Sequence, residues 1–212
     1  MLTVNGEGRG FRVVWLLEEM GLPYRLRGVD LLAGVENDPE LLKINPAGFI
    51  PALVDGEVTM VESIAILQYL MARHGPTDLA VAPEDPRYPL WLQFLLMGEA
   101  GLSMPMFYYT NALRLPTEAD RTNPTARHTL WTFKSRLDLV RRQLGKAPYM
   151  AGEAFTAADI SVVYALNQAG YGARFKFDEV VSDYLARVRA RACYERALSV
   201  CEDTRAFYES VG

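Results

Sequence analysis

Residues that would announce a particular chemistry are scarce. Only two histidines, His74 and His128, and two cysteines, Cys193 and Cys201, occur in 212 residues. Two such distant histidines, with no acidic residue at ligand spacing beside them, exclude a short-range zinc motif. His74 reads instead as a cation favoured in the last turn of a helix. There is no Cys-x-x-Cys pair and no phosphate-binding P-loop. Gly6-Glu7-Gly8-Arg9-Gly10-Phe11 opens like a dinucleotide fingerprint, but its sixth place holds Phe11 where the motif needs glycine. Cys193 and Cys201 stand eight residues apart. On a helix that is about 12 Å at about 1.5 Å per residue, beyond the roughly 7 Å that a disulfide allows between Cα atoms. Unpaired thiols suit a reducing, cytoplasmic compartment. No apolar run approaches the roughly 20 residues that cross a bilayer. The start, Met1 to Asn5, lacks the charged and apolar regions of a signal peptide.

Positive charge is also short. Lys and Arg together number 22 against 26 Asp and Glu, a net charge of -4. That excludes the basic footprint of a nucleic-acid binder. Arg187, Arg189 and Arg191 form the densest basic run, and their spacing spreads them around a solvated helix end. Half of the residues are hydrophobic and 23% are charged, the balance of a soluble chain with enough apolar surface for one or two cores.

The order of elements is informative. Leu2-Thr3-Val4 is a short β-prone run, broken by Gly6, Gly8 and Gly10. A helical pattern starts at Phe11 and stops at Gly21-Leu22-Pro23. Tyr24 to Val29 reads as a second strand, so β-α-β is complete within about 30 residues. Asp38-Pro39-Glu40 opens a short helix that ends at Asn45-Pro46-Ala47-Gly48. Two apolar runs, Ile50 to Val54 and Val58 to Val61, flank a hairpin turn at Asp55-Gly56. A helix from Ser63 ends at His74-Gly75-Pro76. The first part therefore reads β-α-β-α-β-β-α. Pro76, Pro83, Pro86 and Pro89 crowd the next stretch, the mark of a linker. Beyond it only helical patterns occur. Trp91 to Leu113 is one apolar stretch, bent near Pro105. Pro116 to Pro124 is a polar loop. Leu130, Phe133, Leu137, Val140 and Leu144 line one helix face. Thr156 and Asp159 form a capping box, with Phe155 and Ile160 as a hydrophobic staple. Val181, Tyr184, Leu185 and Val188 mark one more helix. Three segments result: 1–76, a linker at 77–89, and an all-helical 90–212.

Three stretches carry a family resemblance: Arg9 to Glu19; Asn45-Pro46-Ala47-Gly48-Phe49-Ile50-Pro51-Ala52-Leu53 followed by Glu62 to Leu70; and Phe155 to Ile160. In this order and spacing the chain resembles the soluble bacterial glutathione S-transferases. The resemblance implies an α/β thioredoxin-like N-terminal domain (β-α-β-α-β-β-α) followed by an all-α C-terminal bundle. It implies glutathione as co-substrate, no metal or nucleotide, a homodimer, and a detoxification role toward a small electrophile. It further implies a cis bond before Pro51, with an outward main chain at Ile50, beside Phe49, that pairs with extended glutathione as an added strand.

The amides that open the helix at Ser63, with its hydroxyl, would take the γ-glutamyl carboxylate, and Glu62 the adjoining ammonium. A plain serine cap is the other reading of Ser63. For the sulfur the chain departs from the family. Asn5 stands in the common tyrosine place and Gly10 in the common serine place, and no Ser, Cys or Tyr lies between Val4 and Trp15. The remaining catalytic candidates are Asn5, Arg9 and Gly10, the last through the amides of the first helix, since a cation and helix amides both lower a thiol pKa. Asn5 reads equally as a turn residue, and Arg12, a further donor, reads as a surface or interdomain ion-pairing residue ahead of a role in the chemistry. Phe11, Met104, Phe107 and Tyr108 would wall an apolar substrate pocket, or be core. Two functions follow: a glutathione transferase, or a non-catalytic binding or regulatory protein of the same fold.

Overall fold

The computed structural model describes residues 1–30 and 33–211. By its contacts the chain divides into two units, Met1–Thr77 joined by Ala190–Ser210, and Asp78–Arg189.

In the first unit, β1 (Leu2–Asn5) is followed by a single 3₁₀ turn at Gly8–Gly10 and by α1 (Phe11–Met20). From Phe11 through Leu17 every residue of α1 is buried, and burying each large apolar side chain contributes about 1.5–3 kcal/mol. Gly21, at φ 64, ends the helix in the left-handed conformation that glycine adopts without a Cβ penalty. Next come β2 (Tyr24–Arg27), α2 (Pro39–Ile44), β3 (Ala52–Asp55), β4 (Val58–Val61) and α3 (Ser63–His74). The sheet order is β2-β1-β3-β4. β1 pairs with β2 in parallel, which requires the α1 crossover, and with β3 antiparallel. This is the thioredoxin-like arrangement expected from the sequence.

The hairpin differs by one residue from the sequence pattern. Asp55 stays in the ladder opposite Val58, so Gly56 and Glu57 form the two-residue turn. Asp55 is held there by α3: its Oδ2 accepts from the Tyr69 hydroxyl at 2.9 Å and meets His74 Nε2 at 2.7 Å. His74 thus has an acidic partner in addition to its place at the helix end.

In the second unit α4 (Tyr88–Met97) and α5 (Met104–Leu113) are joined by a π-helical stretch at Gly98–Ser103. The interruption lies before Pro105, not at it, because Pro105 sits in the first turn of α5, where its missing N–H costs nothing. The polar loop after α5 contains α6 (Glu118–Arg121), capped by Thr117. There follow α7 (Pro124–Leu144), α8 (Ala157–Asn167) and α9 (Glu179–Arg189). Every residue of α8 is buried, the polar Asp159, Ser161 and Asn167 included, as befits a helix enclosed by others. α9 buries Val181, Tyr184, Leu185 and Val188, the four residues whose spacing marks it in the sequence.

Two further helices, α10 (Ala192–Val200) and α11 (Glu202–Val211), escape the sequence pattern. The pattern places 90–212 in one helical domain; the contacts group Ala190–Ser210 with the first unit. The reason is local chemistry on α1. Tyr194 stands edge-on to Phe11 and Trp15, with ring centroids at 5.5 and 4.9 Å. Arg191 donates to both oxygens of Glu19 at 2.8 Å, and Arg196 Nε to Glu18 at 2.8 Å. Among the described residues no helix is long and apolar enough to cross a membrane, and no cluster of three His, Cys, Asp or Glu could hold a metal ion.

Candidate functional site

The hairpin register brings the two candidate ligand segments together. Ala52 pairs with Val61 at the end of the β3–β4 ladder. Ile50 and Pro51 precede Ala52, and Glu62 and Ser63 follow Val61, so both pairs emerge from the same end of the hairpin. Strands there run about 5 Å apart.

Each segment is shaped by its neighbours. The Ile50–Pro51 bond is cis. Asn45 holds the approach to it: its Nδ2 donates to Phe49 O at 2.7 Å and its Oδ1 accepts from Ala47 N at 3.1 Å. Phe49 is partly exposed, and Ile50 has an intermediate exposure. Its main-chain N–H and C=O have no hydrogen-bond partner among the described residues. The loop after β1 packs against Ile50 and Pro51. A Cβ at Gly6, whose φ is +84, would strike the Ile50 side chain, and one at Gly10 would lie 3.3 Å from Pro51. Glycine is required at Gly6 by this approach and by its backbone angle.

Glu62 is exposed and has φ 69 and ψ 102, a conformation costing on the order of 1–3 kcal/mol in a residue with a Cβ and concentrated at functional sites. It opens α3, whose Ile66 amide returns to Glu62 O at 2.9 Å, so the amides of Ser63, Ile64 and Ala65 form the open first turn. Ser63 is 3% exposed and its Oγ accepts from Arg12 Nη1 at 3.1 Å.

The sulfur candidates are placed differently from one another. Asn5 is 1% exposed and both ends of its amide are engaged. Its Nδ2 donates to Ala52 O at 3.1 Å, and its Oδ1 accepts from Arg27 Nε at 2.7 Å. Arg27 goes on to Asp38 through two nitrogens. The Leu41 amide and then Arg27 hold the Asp38 carboxyl below the usual carboxylate range. Asn5 therefore ties the end of β1 to β2 and α2. Gly10 is buried and its amide donates to Glu7 O at 2.9 Å. Arg9 lies within the 3₁₀ turn at intermediate exposure.

Gly8, which the sequence marks only as a break after the first strand run, is exposed with φ +58. It lines a cavity of about 720 Å³ together with Ile50, Glu7, Gly28, Val29, Asp30 and Asp203. Glu7 also accepts from the Thr204 amide at 2.8 Å, capping α11.

Arg12 is fully buried, which sets aside a surface position for it. Phe11 is fully buried too, between Trp15 and Tyr194, and belongs to the core of the first unit instead of a pocket wall. On α5, Met104 is intermediate, while Phe107 and Tyr108 are about half exposed and stand edge-on at 5.6 Å. Cys201 is completely buried and Cys193 partly so, and both are free. Burial raises both thiols, which makes neither a nucleophile.

Comparison with known proteins agrees with this geometry. Residues 2–72 match the family model for the glutathione S-transferase N-terminal domain. Glutathione S-transferase 3 of Schizosaccharomyces pombe is 31% identical over 227 aligned residues, covering 94% of this chain and 90% of that protein. A glutathione transferase of Phanerochaete chrysosporium, solved with oxidized glutathione, superposes with a TM-score of 0.81 at 24% identity, over 96% of this chain and 97% of its own. A theta class glutathione S-transferase of Xanthomonas axonopodis pv. citri, solved with glutathione bound, gives 0.78 at 23%, over 92% and 96%. The structural likenesses speak for the fold. The fission-yeast relative, matched along nearly its whole length, and the domain match over the segment that builds the hairpin end speak for descent: the chain belongs to the glutathione S-transferase family.

Proposed function

We propose that this protein binds glutathione at the open end of the β3–β4 hairpin and directs its sulfur to a small electrophile. The observation that carries the reading is the strained Glu62 opening the α3 amides beside an Ile50 peptide group with no partner of its own. An extended tripeptide completes both. Its cysteinyl main chain pairs with Ile50 as an added strand. Its γ-glutamyl carboxylate meets the first α3 amides and the Ser63 hydroxyl, where the helix dipole favours an anion. Glu62 takes the ammonium group. Phe49 and Pro51 flank the cysteinyl residue. The glutathione-bound relatives support the same ligand here.

The reaction is carried by the sulfur of glutathione, deprotonated to the thiolate that attacks an electrophilic atom and expels a leaving group or adds across a double bond. Asn5 is committed to Ala52 and Arg27 and the Gly10 amide to Glu7, so the thiolate is stabilised by Arg9 and the main chain around Gly8 in the 3₁₀ turn ahead of α1. The working unit is a homodimer.

One observation favours a second reading, a binding or regulatory protein that leaves the thiol protonated. The cavity shared by Ile50 and Gly8 is lined by the carboxylates of Glu7, Asp30 and Asp203, and negative charge opposes a thiolate. Titration with glutathione, following thiolate absorbance and melting temperature together, separates the two. Stabilisation with a lowered thiol pKa is expected for the transferase; stabilisation with an unshifted thiol selects the binder. No effect at millimolar glutathione would remove both. Light scattering checks the dimer.

A further inference from the structure

We propose that Glu7 is a positioning residue for the sulfur end of the ligand, fixing the turn ahead of α1 by anchoring it to the start of α11; this rests on the reading of that turn as the sulfur site. The chemistry begins at Cys201. Arg205 N donates to Cys201 O at 3.0 Å, so Cys201 holds the N-cap place of α11. The amides of Glu202, Asp203 and Thr204 then open the helix with no partner inside it. An N-cap side chain normally offers an oxygen to the second or third of these amides. A cysteine thiol is a weak acceptor, and Cys201 is fully buried. The oxygen comes instead from Glu7, 197 residues away in sequence, whose Oε2 accepts from Thr204 N at 2.8 Å. Thr204 is 5% exposed, so water is a poor substitute for that oxygen.

The other end of the contact sits in a hinge. Glu7 stands between Gly6 and Gly8, whose φ values of 84 and 58 lie in the left-handed region, where glycine has the most freedom. Two main-chain bonds close the turn, from Gly6 N to Arg27 O at 2.8 Å and from Gly10 N to Glu7 O at 2.9 Å. The Glu7 side chain adds a tie from the turn to another helix. That helix start is itself held, because α10 packs on α1 through Tyr194, Arg191 and Arg196. Asp203, next to Thr204, lines the same cavity as Glu7, Gly8 and Ile50, so the start of α11 borders the sulfur end of the site. The contact also orients charge. It turns the Glu7 carboxylate to the N-terminus of α11, where the helix dipole favours an anion, and a carboxylate engaged there opposes a nearby thiolate less.

The test reads two quantities: the thiol pKa of bound glutathione, by thiolate absorbance, and the exchange rate of the Gly10 amide in the protein without ligand, by NMR. It compares the wild type, Glu7→Ala, Glu7→Gln, Thr204→Pro and the double variant of Glu7→Ala with Thr204→Pro. Thr204→Pro removes the N–H that Glu7 accepts from, in a first helical turn, where proline is tolerated. Glu7→Ala and Thr204→Pro should each raise the bound thiol pKa by about one unit, roughly a tenfold loss of thiolate near neutral pH, and speed Gly10 exchange about tenfold. The double variant should do no more than the larger single one, since both cut the same bond. Glu7→Gln keeps a carbonyl acceptor and loses the negative charge, so it should restore slow exchange and leave the thiol pKa at or below the wild-type value. Equal lowering of the thiol pKa by Glu7→Ala and Glu7→Gln would show a carboxylate acting by charge alone and overturn the proposal. Unchanged Gly10 exchange in Glu7→Ala, or faster exchange with an unmoved thiol pKa, would overturn it too. If Thr204→Pro fails to fold by circular dichroism, the contrast between the two Glu7 variants decides. If the wild type binds glutathione with its thiol unshifted, the ligand site stands and the role of Glu7 falls alone. If it binds no glutathione, both fall.

Discussion

At the residue scale, the site is built from side chains whose neighbours leave them little choice. Glu62 is the clearest case. Its backbone angles, φ 69 and ψ 102, cost a residue with a Cβ energy that glycine would not spend. Glu62→Gly should therefore raise the unfolding free energy by about 1 kcal/mol, while the loss of the carboxylate weakens glutathione binding. A denaturant titration read beside a binding isotherm checks both signs. Asn5 shows the opposite allocation. Its amide is spent on Ala52 and on Arg27, so Asn5→Ala should lower stability by about 2 kcal/mol. It should leave the pKa of bound glutathione unmoved. A shifted thiol pKa in that variant would restore Asn5 to the sulfur site.

At the element scale, α8 depends on its first turn. Asp159 is fully buried. It accepts from the amides of Met150 and Thr156, both at 2.9 Å, and from the Tyr184 hydroxyl at 2.8 Å. Burial nevertheless wins over these donors and raises its pKa to about 6. Asp159→Ala leaves three buried donors unpaired and should cost at least about 3 kcal/mol, read as a fall in the denaturation midpoint. The pH signature has a definite sign. A carboxyl with a folded-state pKa of about 6 against 3.8 contributes stability that is complete below about pH 4 and lost as pH rises through 6. The difference in stability between wild type and Asp159→Asn should therefore change between pH 4 and 6 and level off above. A flat difference would mean that the carboxyl is ionised throughout. The join between α4 and α5 has its own constraint. A Cβ at Gly98 would run into the backbone of Ser161 on α8, so Gly98→Ala should destabilise by about 2 kcal/mol.

At the scale of the whole molecule, acid acts in the other direction through the paired carboxylates. Asp55 is lowered chiefly by its hydrogen bond with His74, and Asp85 is lowered to about 2 by Arg87. Groups with depressed pKa values contribute stability above about pH 4 and lose it as pH falls toward their folded values. Stability should decline below pH 4, and thermal scans at pH 5 and pH 3 measure it. The thiols supply a further global readout. Cys201 has no exposed surface and Cys193 an intermediate one, so a thiol reagent should leave Cys201 unmodified in the native protein and reach it only on unfolding.

Much of this was legible before any coordinates. The Gly21 stop, the Asp38 cap, the capping box at Thr156 and Asp159 and the α9 face each rest on neighbours within a few residues, and local hydrogen bonding and helical periodicity suffice for them. So did the candidate ligand segments at Ile50-Pro51 and Glu62-Ser63. What they share was not legible: they meet because Ala52 pairs with Val61 and the turn takes Gly56 and Glu57 in place of Asp55 and Gly56. Nor could local pattern place Arg12 behind Ser63, 51 residues away, commit Asn5 to Ala52, bury Phe11 beneath Tyr194, or fold α10 and α11 back on α1. A charged or amphipathic residue in sequence states only that it needs a partner. Which partner it finds is decided by long-range packing, because desolvation makes a buried polar group costly until the fold delivers its complement.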